Sequence, residues 1–388
     1  MEVRIRYFHN NNSFRRIFGE NKLAENFLYP TFALCFKRKD DIKLFDKVLY
    51  FFKNTLYEKI SVFLNEKIIL FGDLNLINNF SEELKIVEQP VANRILNLLS
   101  NYRATEHFEY QIGDKVFDSK NKYVMGILNI TEDSFFDGGK YFSLTQIKER
   151  INQLCDLQID IIDIGGESTR PGSEPISAEE ELKRILPAVE YALSKNMIVS
   201  VDTYKSYVAE ECLKVGAHII NDISGLKFDS EMADVCAKYN SSVVLMHIRG
   251  TPKTMQENPY YNDTTAEIFD ELNQLINKAN EAGLKQIFVD PGIGFGKRLY
   301  DNYEILNRLE EFKFLGYPIL IGLSRKSFIG KILNQTPEER LTGTIVSNAV
   351  SLFKAANIIR VHDIKEAIET KKIIEAIIKP EITLKWLK

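Results

Sequence analysis

The stretch MGILNITEDSFFDGG (residues 125–139) joins a short apolar run to a polar loop. The run ends at Asn129, and the loop carries Asp133, Asp137 and two adjacent phenylalanines. An unbroken apolar run of this length is typical of a parallel strand that is buried on both faces. The stretch therefore predicts a buried strand with polar groups clustered just beyond its C-terminal end.

The same pattern recurs along the chain from about residue 120. Each apolar run is rich in Ile and Val and ends in a polar residue, and a loop and an amphipathic helix follow it. Eight such strand–helix units predict a closed (β/α)8 TIM barrel, which typically needs about 250 residues. A doubly wound open sheet is the alternative. The runs are 123–129, 159–167, 197–202, 218–222, 242–247, 286–290, 318–324 and 357–362.

Capping signals mark several of the helices between these runs. Ser177 is followed three residues later by Glu180, as in a capping box. Thr336 precedes a proline at the first helical position. Further predicted elements are helices over 264–282 and 363–378, and a hairpin over 108–118 that closes the bottom of the barrel.

Residues 1–110 lack the strand–loop–helix pattern and are rich in Phe, Tyr, Leu, Asn and Lys. We expect an N-terminal α+β extension here, followed by the barrel over residues 111–388. The extension could be a surface for a partner or a second copy, or a structural support for the barrel. Its predicted elements are helices within 40–60 and 82–103 and a strand over 67–72.

Composition excludes several classes of protein. The formal net charge is −4 over 388 residues, which argues against a nucleic-acid binder. The four cysteines are scattered, with no CxxC pair, so we expect reduced structural thiols. No apolar run approaches the roughly 18 residues of a membrane span, and the N-terminus lacks the apolar core of a secretory signal. The expected location is cytoplasmic.

Cationic side chains follow several predicted strands. Lys326 and Arg360 could be a solvated lysine and a structural ion pair, respectively. Their convergence with His362 and with Arg170 in a neighbouring loop is better explained by an anion site for a phosphate or pyrophosphate. Strand alternation also predicts that Ser324 and Lys326 point in the same direction.

Carboxylates end three other strands, at Asp202, Asp222 and Asp290. Asn221 adds an amide that can both donate and accept. Each carboxylate could cap a loop or form a salt bridge. The alternative is a ligand with several N–H groups, such as an aminopyrimidine ring, because a buried carboxylate needs donors.

Two further features concern metals and phosphates. Asn129 supplies a neutral oxygen that could help to hold Mg²⁺ on a pyrophosphate. GIGFGK (292–297) is not a P-loop, because the spacing between its glycines is wrong and Lys297 is followed by Arg. Its glycines would let the backbone approach a flat ligand, with Phe295 against the ligand's face. His218, His247 and His362 lack metal-site spacing.

Taken in order, these motifs resemble the dihydropteroate synthase family, over about residues 115–388. They are MGILNITEDSFFDGG, IIDIGGESTRPGSEPI, SVDTYK, IINDISG, LMHIRGTPKTMQ, FVDPGIGFGK, GLSRKSFIG and IIRVHD. The resemblance implies that 6-hydroxymethyl-7,8-dihydropterin pyrophosphate is joined to para-aminobenzoate in folate biosynthesis. Dihydropteroate and pyrophosphate are the implied products, and Mg²⁺ is the implied cofactor.

The resemblance also assigns site residues. It places the pterin against Asp202, Asn221, Met246, Asp290, Phe295 and Lys326. It places pyrophosphate and its metal against Asn129, Arg170, Arg360 and His362. It places para-aminobenzoate, the substrate that sulfonamides mimic, against Phe135, Thr169, Pro171 and Ser324. Catalytic roles fall to Asp137, Arg170, Asp202 and Lys326.

The implied mechanism is SN1-like, with pyrophosphate leaving to form a pterin cation under two mobile loops. The implied assembly is a homodimer formed through helices toward the C-terminus. Glu132 and Phe136 depart from the family pattern, which usually has a proline and a small residue at these positions. Two alternatives are a pterin-dependent methyltransferase, which the STRPG and SRKS motifs disfavour, and a pterin-binding paralogue without catalysis.

Overall fold

A computed structural model describes residues 1–8, 31–38, 41–64, 66–131, 144–170 and 172–387. The chain divides into two units. The smaller unit comprises Met1–Glu106 and Asn307–Gly316. The larger unit comprises His107–Leu306 and Tyr317–Lys388.

The larger unit contains a closed barrel of eight parallel strands, and the predicted TIM-barrel fold is therefore confirmed. Each strand pairs with the next along the chain, and the last pairs with the first. The apolar runs form these strands because both of their faces are buried. The strands are β7 (Tyr123–Asn129), β8 (Ile161–Gly165), β9 (Val199–Asp202), β10 (Ile219–Asp222), β11 (Ser242–Met246), β12 (Ile287–Asp290), β13 (Ile319–Gly322) and β14 (Ala356–Val361).

Helices follow the barrel strands. Ser177 caps its helix by accepting from the Glu180 amide, as predicted, and Thr336 forms a capping box. The α-helices are α3 (Leu144–Asp156), α4 (Ala178–Ser194), α5 (Ser206–Lys214), α6 (Met232–Lys238), α7 (Thr264–Glu281), α8 (Leu299–Asn307), α9 (Ser327–Leu333), α10 (Leu341–Lys354) and α11 (Ile364–Ile378). Shorter 3-10 helices span Leu309–Leu315, Pro337–Glu339 and Pro380–Leu387.

The predicted hairpin is present as β5 (Glu109–Ile112) and β6 (Lys115–Asp118). Gly113 supplies the positive φ of +58° that its turn requires. Ile112 and Phe117 pack into one cluster with Tyr123, Met125 and other residues from the beginnings of the barrel strands. The hairpin thus closes the end of the barrel where the strands begin, and it leaves the opposite end for the loops after the strands.

The smaller unit is an α+β structure. Four antiparallel strands pair in the order β1-β2-β4-β3, and the sequence predicted only β4 among them. The second helix bends at Glu88, close to Pro90. The elements are β1 (Glu2–Phe8), β2 (Thr31–Lys37), α1 (Ile42–Lys53), a 3-10 helix (Leu56–Ile60), β3 (Ser61–Leu64), β4 (Lys67–Gly72) and α2 (Leu74–Ala104).

The division between the units differs from the predicted boundary after residue 110, because the smaller unit includes 307–316. Phe314 is 2% exposed, and its ring centroid lies 5.0 Å from that of Tyr102. The amide of Tyr7 donates to Glu311 at 3.0 Å. Arg308 and Glu311 form a buried ion pair at 2.7 Å. The long-range contacts of Phe314 with Tyr102 and of Glu311 with Tyr7 draw the segment between α8 and β13 into the smaller unit.

Two further expectations concern the whole chain. Cys212 and Cys236 are buried, and burial raises the pKa of both thiols to about 12, which fits a structural role. Within the described ranges, no helix combines the length and the apolar character that a membrane crossing requires.

The segment 307–316 should contribute strongly to the stability of the smaller unit. Phe314→Ala removes a ring that packs against Phe32 and Tyr102. We expect the free energy of unfolding to fall by about 3 to 5 kcal/mol, as for other buried phenylalanines. Urea titration followed by circular dichroism measures the change. Tyr50→Ala, at a position 70% exposed on α1, is the control, and a wild-type midpoint for Phe314→Ala would contradict the assignment.

Candidate active site

The candidate site lies at the C-terminal ends of the barrel strands. Parallel strands present these ends on one side of the barrel, so residues far apart in sequence meet there. Asn129, Asp202, Met246 and Asp290 are the last residues of β7, β9, β11 and β12. Asn221 and Arg360 each precede the last residue of their strands. The loops beyond the strands carry Thr169, Arg170, Phe295, Ser324, Lys326 and His362.

Arg360 joins two carboxylates across the mouth of the barrel. Its Nε donates to Oδ2 of Asp163 at 2.6 Å, and its Nη2 donates to Oδ2 of Asp202 at 2.5 Å. Asn221 Nδ2 donates to the same oxygen of Asp163 at 3.1 Å. Side chains from β8, β9, β10 and β14 therefore form one network.

Sequence reasoning missed Asp163, which is fully buried within β8. It precedes the end of its strand by two residues and was absorbed into the apolar run IDIIDIGGE. The available signal was the carboxylate itself, since a charge inside a strand buried on both faces requires a cation. Arg360 is that cation.

Both carboxylates keep an unsatisfied oxygen. The Oδ1 atoms of Asp163 and Asp202 are buried and accept no hydrogen bond from any residue in the described part of the chain. Burial raises the pKa of Asp202 to about 7, although the charge of Arg360 opposes the shift. A ligand with N–H groups facing these oxygens would satisfy them and would favour the ionised carboxylate.

Lys326 lies on another side of the mouth. Its ammonium donates to the carbonyl of Ile293 at 2.5 Å and lies 4.8 Å from the ring centroid of Phe295. Desolvation lowers the pKa of Lys326 to about 8, while the charge of Asp290 opposes that change. Asp290 accepts from the amide of Gly292 at 2.7 Å, and burial raises its pKa.

An apolar surface accompanies these charges. Met246 packs in one cluster with Ile223, Ile248 and Met255, and Phe295 and Tyr204 pack against it. Two of the residues predicted to face a flat ring, Met246 and Phe295, are thus brought together. A ring system placed here would meet side chains that offer no competing polar groups.

Ser324 and Lys326 do not follow the predicted strand alternation. β13 ends at Gly322, and Arg325 has a positive φ of 55°, which turns the chain before Lys326. Ser324 lies in hydrogen-bond contact with His362, with Oγ 3.0 Å from the ring Nδ1. The two predicted neighbours therefore contact different groups.

His362 lies at the rim of the mouth. Desolvation and the charge of Arg360 lower the pKa of His362, although the residue remains exposed. Its imidazole is therefore largely neutral near pH 7. Positive charge near the rim comes from Arg170 and Arg360, and His362 contributes a hydrogen-bonding group instead.

A cavity brings together residues from four of the βα units. Predicted anion-binding residues meet there with Thr169, and Arg170 is exposed at its edge. The cavity is polar, as a site for a charged group requires. The residues that line it are Asn129, Thr131, Glu167, Ser168, Thr169, Arg170, Asp202 and Arg360.

The glycines of the loop GIGFGK also allow close contacts within the chain. A Cβ at Gly292 would overlap the carbonyl of His247, and a Cβ at Gly296 would overlap the carbonyl of Arg249. Buried Lys297 lies 2.9 Å from Nδ1 of His247 and donates to the Phe295 carbonyl at 2.9 Å. The glycines thus allow this loop to cross the loop after β11, and Lys297 ties the two loops together.

Other predicted residues have different outcomes. Asp222 accepts from the amides of Ser224 and Leu226, both at 2.7 Å, and so caps its own loop.

Among the described residues, no three His, Cys, Asp or Glu side chains form a group that could hold a metal. Several positions lie outside the described residues, namely Glu132, Phe135, Phe136, Asp137 and Pro171.

Comparison with known proteins agrees with this geometry. The model of the pterin binding enzyme family matches residues 125–362. Dihydropteroate synthase of Escherichia coli (strain K12) is 45% identical over 262 residues, which cover 67% of this chain and 93% of the relative.

Solved structures extend the similarity. The crystal structure of Yersinia pestis dihydropteroate synthase with a sulfonamide drug complex is 40% identical, with a TM-score of 0.66, and covers 69% of this chain and 98% of that one. Xanthomonas albilineans dihydropteroate synthase with 4-aminobenzoic acid is 34% identical, with a TM-score of 0.66, and the match covers 70% of this chain and 99% of that one. On its family match, its relatives and its barrel, this chain belongs to the dihydropteroate synthases, a family of pterin-binding transferases.

Proposed function

We propose that this chain joins 6-hydroxymethyl-7,8-dihydropterin pyrophosphate to para-aminobenzoate, and that it forms 7,8-dihydropteroate and pyrophosphate. The network of Arg360 with Asp163 and Asp202 carries the proposal, because it presents unsatisfied carboxylate oxygens beside a polar cavity that two arginines line. The 4-aminobenzoic acid complex of the Xanthomonas relative supports the second substrate.

The pterin is proposed to lie between the carboxylates and the apolar cluster. Its ring N–H and amino groups would donate to Asp202 and Asp163, and Asn221 would supply an amide. Lys326 would donate to ring acceptors from the side of Asp290. Met246 and Phe295 would pack on the ring face, since aromatic and thioether groups pack well against flat rings.

The pyrophosphate is proposed to lie in the polar cavity. Arg170 and Arg360 both line it, and guanidinium groups match phosphate oxygens in charge and geometry. His362 would add a hydrogen bond at the rim. The leaving group would therefore meet two cations on one side of the pterin.

Magnesium fits this arrangement as a partner of pyrophosphate. Mg²⁺ prefers oxygen ligands, keeps several waters and uses few protein groups. Asn129 offers an amide oxygen on the wall of the cavity that holds Arg170 and Arg360. When bound, the ion supplies charge neutralisation to the departing pyrophosphate.

Para-aminobenzoate is proposed to bind at the outer part of the mouth. Thr169 lines the cavity, and Ser324 lies near the rim with His362. Phe135 and Pro171 are proposed to complete this site, and the first and second loops to exclude water from it. The aromatic amine would then approach the pterin from the side of the leaving group.

The proposed reaction is SN1-like. The bond between the pterin methylene carbon and the pyrophosphate oxygen breaks, and the electron pair leaves with pyrophosphate. Asp202 and Asp290 would stabilise the resulting positive charge, and Asp137 is proposed to assist. The amine nitrogen of para-aminobenzoate then bonds to the methylene carbon and loses one proton.

A homodimer is also proposed, through the outer faces of α10 and α11. Val346, Val350 and Phe353 are 57%, 46% and 59% exposed and recur at helical spacing on α10. Ile373 and Ile377 on α11 are 63% and 55% exposed. An apolar face on two helices that pack against each other is suited to a second copy of itself.

Turnover tests the proposed function directly. The purified chain is mixed with the pterin pyrophosphate, para-aminobenzoate and Mg²⁺, and dihydropteroate and pyrophosphate are quantified. We expect equal amounts of both products, and we expect Asp202→Asn to lower kcat by roughly a hundredfold to a thousandfold. Asp156→Asn, on the exposed end of α3, should leave kcat unchanged. A folded wild-type chain that forms no product would refute the proposal.

The pH profile should report Lys326. Its ammonium, with a pKa of about 8, is lost as the pH rises, so kcat/KM for the pterin substrate should fall above about pH 8. Lys326→Arg keeps a cation throughout this range and should remove the alkaline decline while lowering the overall rate. A wild-type profile that stays flat here, or a variant that keeps the same decline, would contradict this role.

The proposed dimer has a simple mutational test. Val350→Glu places a charge at the centre of the apolar face and should convert a dimer into a monomer in sedimentation velocity experiments. Ile86→Glu, at a position 89% exposed in the smaller unit, is the matched control and should leave the mass unchanged. A wild-type chain that sediments as a monomer at micromolar concentration would exclude the dimer.

A further inference from the structure

The loop after β8 is held at its root by one carboxylate. Glu167, whose side chain is 6% exposed, accepts from the hydroxyl of Tyr204 at 2.5 Å and from the ammonium of Lys205 at 2.5 Å. It also accepts from the amide of Ile176 at 3.0 Å. Glu167 therefore joins the two ends of its own loop and connects them to the loop after β9.

Lys205 serves a second buried carboxylate. Its ammonium also contacts Glu181, which lies in the first turn of α4 and is 1% exposed. Glu167 and Glu181 both contact the ammonium of Lys205, and without that cation the two buried carboxylates would repel each other. Lys205 thus makes the pairing possible, and it fixes α4, the loop root and the end of β9 as one group.

Tyr204 reaches in two directions. Its ring packs against the apolar cluster of Met246 and Phe295, while its hydroxyl donates to Glu167. The ring is also held edge-on by Phe228, with centroids 5.4 Å apart. One side chain therefore connects the proposed pterin-facing surface with the root of the second loop.

The held loop carries two proposed binding residues. Thr169 and Arg170 follow Glu167 closely and line the polar cavity. The Ser173 hydroxyl lies 2.5 Å from the carbonyl oxygen of Ser168 and 2.8 Å from that of Arg170, and the Ser173 amide donates to the Arg170 carbonyl at 3.1 Å. If the backbone at Glu167 moved, Thr169 and Arg170 would therefore move with it.

We infer that Glu167, Lys205 and Tyr204 are positioning residues that hold Thr169 and Arg170 in register with the pterin-binding surface. The inference rests on the proposed function. We expect the three residues to affect the affinity for pyrophosphate and the KM for para-aminobenzoate. We do not expect them to affect the affinity for the pterin ring.

Binding and kinetics test this together. The affinity for inorganic pyrophosphate with Mg²⁺ is measured by calorimetric titration, and the affinity for 6-hydroxymethylpterin by fluorescence titration. The KM for para-aminobenzoate is measured in the turnover assay. We expect Tyr204→Phe and Glu167→Gln to weaken pyrophosphate binding and to raise KM about tenfold each, the effect of one lost hydrogen bond to a charged group. The affinity for the pterin should change by less than about twofold, which is clearly smaller than the tenfold change expected for the loss of one such hydrogen bond.

The charge on Lys205 provides a rescue test. Lys205→Met leaves Glu167 and Glu181 without their cation and should reproduce the tenfold losses, whereas Lys205→Arg should retain most of the wild-type affinity. Tyr191→Phe is the matched control for Tyr204→Phe, because it removes a hydroxyl that donates to Asn152 on α3 at 3.1 Å, outside the proposed site.

Contrary outcomes are distinct. Wild-type pyrophosphate affinity in Tyr204→Phe would overturn the inference. The inference would also be overturned if a variant lost as much affinity for the pterin as for pyrophosphate and had a lower melting temperature. Such a result would show a merely structural role. If the wild-type chain binds both probes but makes no product, the proposed function fails, and the pyrophosphate titrations alone decide the positioning role.

Discussion

The mouth of the barrel depends on the guanidinium of Arg360. Transferring two carboxylates from water into the barrel costs several kcal/mol each, and a single cation compensates for both Asp163 and Asp202. Because the cation is shared, the group retains a negative charge and two oxygens without donors in the described part of the chain. The fold therefore leaves two carboxylate oxygens, on Asp163 and Asp202, that a ligand with several N–H groups could satisfy.

The shared cation also links the two halves of the proposed site. Arg360 contacts the carboxylates on one side and lines the polar cavity on the other. In the proposed reaction, a pyrophosphate that attracts this guanidinium would weaken its hold on Asp202 as positive charge develops on the pterin. Asp202 would then be more available to that charge, so one residue could stabilise both parts of the separating ion pair. Lys205, in the loop after β9, repeats the arrangement at the root of the second loop, where one ammonium contacts the carboxylates of Glu167 and Glu181.

The barrel could be predicted from the sequence because its strands are buried on both faces and so appear as unbroken apolar runs. The run 197–202 became Val199–Asp202, and the run 123–129 became β7 without change. Side-chain pairing was harder to predict. Asp163 was hidden within an apolar run, and Asp222 caps a loop although it ends a strand like Asp202. Which strand-end carboxylate faces a ligand depends on the path of the next few residues, and that path is set by tertiary contacts. Strands β1, β2 and β3 were also missed, although β1 (EVRIRYF) alternates polar and apolar residues and β2 (TFALCFK) is almost continuously apolar.

The smaller unit raises a different physical question, because it includes residues that the chain places inside the barrel sequence. The segment 307–316 enters the smaller unit after α8 and leads into the beginning of β13. The site residues follow the opposite ends of the strands. Phe314 gains its contact with Tyr102, and Glu311 its hydrogen bond from the amide of Tyr7, only when the smaller unit has folded. A segment that lies in sequence between the loops after β12 and β13, which carry Phe295 and Lys326, thus folds as part of the smaller unit. Sequence position alone therefore does not decide which unit a residue stabilises, because the tertiary contacts of its side chain do.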